Sequence, residues 1–166
     1  MIPIRFVAAA LASALIASPV LAQVPAGCAV TAATDPDRSV LTCEGGLVVE
    51  IEAATQLGLV AADPRRLSLE DGAILVQSQP GSGPRQVRTP HAIAAVRGTV
   101  FAVDVADEAT SVFVVEGAVS VQQTRAGGDD VLLEQGEGVD VTPGEALEVK
   151  TWGAARVAAL LARFGR

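Results

Sequence analysis

The sequence predicts an all-β domain, built as a short β-solenoid or β-roll of stacked strand–Gly–strand units with a C-terminal amphipathic capping helix. Three observations point there. The apolar half of the chain is mostly Val, Ala, Leu and Ile, with one Trp, four Phe and no Tyr in 166 residues, and small β-branched side chains suit closely packed strands. Polar and apolar residues alternate with period two around 111–122, as in strands with one buried face. Glycines 98, 117 and 136 fall nineteen residues apart, the regularity of repeated units.

The first 22 residues read as a signal peptide. Arg5 supplies a positive start, residues 6–16 are an uncharged run dominated by Ala and Leu, Pro19 breaks it, and Val20-Leu21-Ala22 offers cleavage after Ala22. The uncharged stretch 6–25 is also long enough to span a bilayer, which leaves a retained anchor as the alternative. Pro19, the weakly hydrophobic alanines and the lack of a basic stop-transfer flank favour cleavage, with no stable membrane span afterwards. Cys28 makes a poor lipidation site, because Pro25 stands where a lipobox wants an aliphatic residue. The rest divides into a disulfide-stapled strand segment at 23–60, a β domain at 61–150 of which that segment is part, and a helix at 151–166.

Export places Cys28 and Cys43 in an oxidising compartment, periplasmic or extracellular, where an even count reads as a bridge. The loop they close holds the turn signal Asp35-Pro36-Asp37. Two Cys and the single His91 do not make four metal ligands, and no metal or cofactor is expected. A net charge of −7 opposes binding to a phosphate backbone, so nucleic acid is not an expected partner.

The repeat itself is an apolar strand, a charged residue near its end, a glycine, and a second apolar strand. It recurs at 67–76, 96–103, 114–121 and 133–141, with a degenerate copy at 43–51. Glycine suits a corner, because a sharp bend often needs positive φ or close backbone approach. Turn chemistry separates the copies at Pro80-Gly81-Ser82-Gly83-Pro84, at Gly127-Gly128-Asp129 and at Pro143-Gly144.

Residues 89–103 contain Thr89-Pro90, then Val96-Arg97-Gly98-Thr99, then Phe101 before a Val-rich strand. This resembles the central signature of the FecR-domain family. The strand pair around Glu116-Gly117 and the Gly-rich turn at Gly136 are similar to the segments that follow it there, so the likeness covers about 67–141. The resemblance implies a periplasmic, all-β, partly solenoid-like domain. Well-understood members are single-span regulators whose cytoplasmic N-terminus handles a sigma factor and whose periplasmic part senses a ferric-siderophore receptor. No cytoplasmic domain precedes the apolar segment here, so the expectation is the periplasmic module alone, with neither sigma-factor binding nor iron regulation carried over.

Individual residues carry definite expectations. Arg97 lies beside the corner Gly98 and reads as a clamp, with Glu116 on the next unit as its partner; a partner-protein contact is the alternative. Thr99 is expected to hydrogen-bond within the turn and Phe101 to fill the core. Glu44, Glu70, Asp71, Glu116 and Glu134 recur near corners as a solvated acidic rim, the alternative being a Ca²⁺ ladder. His91 reads as a surface histidine, and no nucleophile has a base and an orienting group around it. Val157, Leu160, Leu161 and Phe164 follow one helical face with Trp152 before it. Together they form either a cap over an open sheet end or a partner-binding surface. The expected function is a non-catalytic exported module that docks or signals to another envelope protein; a small-ligand or cell-wall-glycan binder is the alternative.

Overall fold

Alternating aliphatic runs, punctuated by Gly, Asp and Pro turns, fold into β1 (Cys28–Ala33), β2 (Arg38–Cys43), β3 (Leu47–Glu52), β4 (Gln56–Leu59), β5 (Arg66–Ser78), β6 (Arg85–Arg88), β7 (Ala92–Val96), β8 (Val100–Ala106), β9 (Ala109–Glu116), β10 (Ala118–Gln123), β11 (Asp130–Glu134), β12 (Glu137–Val141) and β13 (Lys150–Thr151). One helix follows, α1 (Ala154–Ala162). The computed structural model of the chain describes residues 24–60, 63–125 and 128–166; the expected signal peptide lies outside them, as does Gly127 of the expected turn.

Among the described residues the strands form one 13-stranded sheet, curled over into a half-barrel with two leaves. Leaf A runs β1-β2-β3-β5-β8-β9-β12-β13, and leaf B runs β4-β5-β6-β7-β10-β11. The long strand β5 belongs to both: its first half pairs with β4 and β6, its second with β3 and β8. The inward residues of the two leaves meet in the main core, where Leu47, Leu69, Ile74, Phe101, Val119 and Leu133 are fully buried.

The expected corners exist. β7 passes to β8 at Gly98, β9 to β10 at Gly117 and β11 to β12 at Gly136, with φ of +60, +87 and +84°. They follow one margin of the molecule: a Cβ on Gly117 would lie 3.3 Å from the Gly98 carbonyl oxygen, and the Gly136 amide donates to the Val114 carbonyl at 2.9 Å. What differs is the direction of the strands. Every pairing among the described residues is antiparallel except β5 with β6, so the units do not stack as the coils of a solenoid. The reason is the connection. β8 and β9 are joined by the two-residue turn Asp107-Glu108, both at positive φ, a hairpin geometry that reverses the chain. Each repeat is therefore half of a bent hairpin.

The N-terminal strands belong to the same sheet, since β3 pairs with β5 over five residues. The Cys28–Cys43 disulfide joins directly paired positions of β1 and β2.

Two stability predictions follow from this framework. Gly136 has open space where a Cβ would go, whereas a Cβ on Gly98 would lie 2.8 Å from the Pro80 Cα. Gly136→Ala is expected to cost about 1–2 kcal/mol for the left-handed backbone, and Gly98→Ala clearly more, as read from urea midpoints at constant m. Replacing both cysteines, 15 positions apart in sequence, by Ala is expected to cost about 3 kcal/mol on the chain-entropy model; an unchanged urea midpoint would contradict a stabilising bridge.

Candidate functional site

Leaf A has two faces, and the chain treats them differently. On the outer face, Ala73, Leu75, Ala102 and Phe113 form an apolar floor in a second core cluster. Period-two alternation puts Glu50 and Glu52 of β3, Asp104 of β8 and Asp140 of β12 on that same face, so the floor is flanked by carboxylates. Helix α1 lies across it and brings the complementary cations. Arg163 donates to Glu52 (2.8 and 2.6 Å) and to Asp104 (2.6 and 3.1 Å). Arg166 reaches Glu50, which also accepts from Arg38 at 3.0 Å. Arg156 donates to Asp140 at 2.9 Å.

The apolar anchors enter between these ion pairs. Trp152 stacks on Phe113 with ring centroids 5.1 Å apart, and the Arg156 guanidinium covers the indole at 3.4 Å. Gly138 of β12 is required beneath the ring, since any Cβ there would collide with the indole. Leu160 and Phe164 are 7 % and 1 % exposed, and Val157 and Leu161 pack against the same cluster. This corrects the expectation of a cap over an open sheet end. The helix covers a sheet face, not an open sheet end, because that face is apolar. Leu160 and Phe164 are buried there with Trp152, and Val157 and Leu161 are half-buried at the margin.

Arg163 is pushed further above the usual arginine value by its hydrogen bonds to Glu52 and then Asp104, against the burial that lowers it. Asp140 is held below the usual carboxylate range, chiefly by the Arg156 hydrogen bond, with Ser111 adding to it and burial opposing.

The family-like corner is structural in its contacts. The Thr99 hydroxyl, 1 % exposed, lies 3.0 Å from the Ala118 carbonyl and 3.2 Å from that of Arg97, tying two bends together. Phe101 is fully buried in the main core. Arg97 and Glu116 are both exposed and form no ion pair with each other. The expected clamp is therefore absent, because the bend's carbonyls are already served by Thr99. Glu44, Glu70, Asp71, Glu116 and Glu134 are all exposed. His91 is half-buried, with Nδ1 3.1 Å from the Thr110 hydroxyl, which in turn meets the Thr89 hydroxyl at 2.8 Å.

Arg85 was not singled out by the sequence. It is 7 % exposed and donates to the Ser78 hydroxyl and the Gly45 carbonyl, both at 3.0 Å. Burial, followed by the like charge of Arg65, pushes it below the usual arginine value. Its position in the alternation, next to inward Val87, was the available signal.

On the inner face of leaf A the cover is incomplete. Beyond β5, leaf A continues through β3, β2 and β1, while leaf B continues only through the four-residue β4. A cleft of about 310 Å³ results, lined by Val24, Pro25, Val30, Leu41, Ile51 and Leu57, with Ser39, Thr55, Gly58 and Leu59 completing it. Among the described residues no charged side chain lines it.

The family model described as FecR protein matches residues 30–120, which takes in β2 to β9 and both sides of the Gly98 corner. No curated protein matches. Two crystal structures of a candidate anti-sigma factor from Parabacteroides distasonis ATCC 8503 share the fold. One has a TM-score of 0.60 at 24% identity, covering 75% of this chain and 60% of that one. The other has a TM-score of 0.61 at 22% identity, covering 81% and 64%. The chain thus spans less than two thirds of either solved chain.

The ion pairs under the helix predict a pH dependence. A carboxylate whose folded pKa is depressed contributes stability that is present above its unfolded value, about 3.9 for Asp, and is lost as pH falls through the folded value. Asp140→Asn is expected to remove that part of the acid sensitivity below about pH 4. Because Asp140 is 45% exposed in its side chain, the effect at neutral pH is expected to stay under about 1 kcal/mol. Emission from Trp152, the one Trp, followed during acid titration of both proteins, checks this.

Proposed function

Since the chain belongs to the FecR family, we propose that it is an exported, non-catalytic module of the bacterial envelope that works by binding another protein, in a signalling role. The observation that carries this reading is the incomplete cover of leaf A's inner face: an uncharged apolar cleft left open beside two edge strands. Contiguous exposed apolar surface on a soluble domain marks interaction sites. Val24 and Val30, 48 % and 49 % exposed, are two of the four large hydrophobics that stand open among the described residues, and both line this cleft.

Two further features support the reading. The Cys28–Cys43 bridge suits an oxidising compartment. The solved neighbours' description as anti-sigma factors fits a place in signalling. A sigma-factor contact is not part of this proposal.

The test is made in cells that produce the full chain. Cell fractionation and N-terminal sequencing are expected to find it in the envelope, beginning at Gln23. A photo-crosslinking amino acid is placed in turn at Val30, Leu132 and Ala158. At least one position is expected to give a discrete adduct with an envelope protein. A cytosolic chain with its first 22 residues intact, or no adduct from any position, would overturn the proposal.

A further inference from the structure

Among the described residues, leaf B is shorter than leaf A on the β4 side. The inner face of leaf A presents two rows across β1, β2 and β3. Val30 pairs with Leu41, which pairs with Val49; Ala32 pairs with Ser39, which pairs with Ile51. Opposite Val49 the core is closed and Val49 is fully buried. Towards β1 nothing among the described residues lies opposite, and Val30 is 49 % exposed. Among the described residues the element on that side is β4, which pairs with β5 along one edge and with no described strand along the other. Its side chains alternate out and in, with Leu57 and Leu59 half-buried and turned to the cleft.

Edge strands in soluble proteins are usually guarded by charge, proline, bulges or a covering loop. Neither edge at this cleft is guarded by charge or proline: β4 reads Gln-Leu-Gly-Leu and β1 reads Cys-Ala-Val-Thr-Ala-Ala. β1 itself has no buried residue, yet it is held in place by six paired positions and a disulfide. The molecule thus fixes one wall of a slot whose other wall is a free strand edge.

We infer that this slot receives one extended segment of a partner protein, which adds to the free edge of β4 as a further strand of leaf B. The inference rests on the reading of the chain as an interaction module and names what that module takes. The chemistry of the segment follows from the walls. A free strand edge offers backbone N–H and C=O groups, which an extended chain satisfies and a helix does not. Residues alternate in a strand, so every second side chain of the guest faces Val30, Leu41 and Ile51. Those positions take apolar residues. Among the described residues no charged group lines the cleft, so a charge carried into it would be desolvated without a partner. The four residues of β4 set a paired length of roughly 13 Å at about 3.3 Å per residue.

The test is a displayed library of random eight-residue peptides panned against the full chain. Enriched peptides are expected to alternate apolar residues, to lack charge at those positions, and to bind at least tenfold more weakly to both Val30→Asp and Leu57→Asp. N-methylation of alternate backbone amides in an enriched peptide is expected to weaken binding by a similar factor. Trp152 emission, which reports the opposite face of leaf A, verifies that each variant is folded. The inference is overturned by no enrichment, by enriched sequences that are charged or follow a helical period, or by binding indifferent to both substitutions. A concentration-dependent dimer abolished by Leu57→Asp would also overturn it, assigning the slot to a second copy. Because panning depends neither on export nor on a cellular partner, its failure beside positive crosslinks from Leu132 or Ala158 would sink the strand and leave the module.

Discussion

A single sheet encloses a core only if its strands bend sharply enough for the two halves to face each other. Here that bend is the constraint on which the rest depends. Gly98, Gly117 and Gly136 make it with positive φ, and Thr99 links neighbouring bends through the Ala118 carbonyl. Phe101, two residues past the tie, then points into the space the bend has created. The family-like motif is thus a set of instructions for a corner: turn, tie and fill. The corner explains why the motif is informative about fold while offering no reactive group.

The bends also settle how the two faces of leaf A are used. Its inner face meets leaf B wherever a strand passes through a corner, so the core is deepest around β5, β8 and β9. Away from the corners, toward β1, the leaves no longer share strands and cover is lost. β1 therefore gains little from burial, and the disulfide does work that packing does elsewhere: it lowers the entropy of the unfolded chain instead of adding native contacts. The outer face has no second leaf at all. It is closed by a nine-residue helix, too short to be stable alone and without a side-chain cap at Gly153, so it exists because Trp152, Leu160 and Phe164 are buried.

Much of this was legible in the sequence. Corners, strand content, the cysteine pair and the C-terminal helix follow from glycine spacing, period-two alternation and one i, i+3, i+4, i+7 stripe. Strand direction was not, because a nineteen-residue interval between bends is the same for a coil that continues and for a hairpin that returns. The deciding residues, Asp107 and Glu108, take left-handed conformations that their side chains do not advertise. The carboxylates that matter were equally hidden. Charge near the glycines drew notice to Glu116 and Glu134, yet those project into solvent, whereas Glu50, Glu52, Asp104 and Asp140 sit mid-strand on one face. The alternation 47–52 already put Glu50 and Glu52 on the side opposite Leu47 and Val49. Nothing in it said that Arg163, more than a hundred residues later, would cover them. The unequal leaves could not be read at all, because leaf membership beyond β5 is a long-range property.

The two faces also differ in the kind of segment they accept, and the difference is electrostatic. The outer face combines an apolar floor with four carboxylates, and it selects a helix bearing arginines at its ends. The pair of Arg156 with Asp140 is exposed and contributes at most about 1 kcal/mol, whereas Glu50 is buried between Arg38 and Arg166, where losing either partner costs more. Among the described residues the inner cleft has no charged group, and it excludes by the opposite rule. An ionic side chain entering it would exchange water for Val30, Leu41 and Ile51, and the lost hydration, several kcal/mol per ion in effective terms, exceeds what one added strand contact returns. A chain of net charge −7 that keeps one apolar cleft free of charge therefore discriminates there by backbone geometry and side-chain alternation.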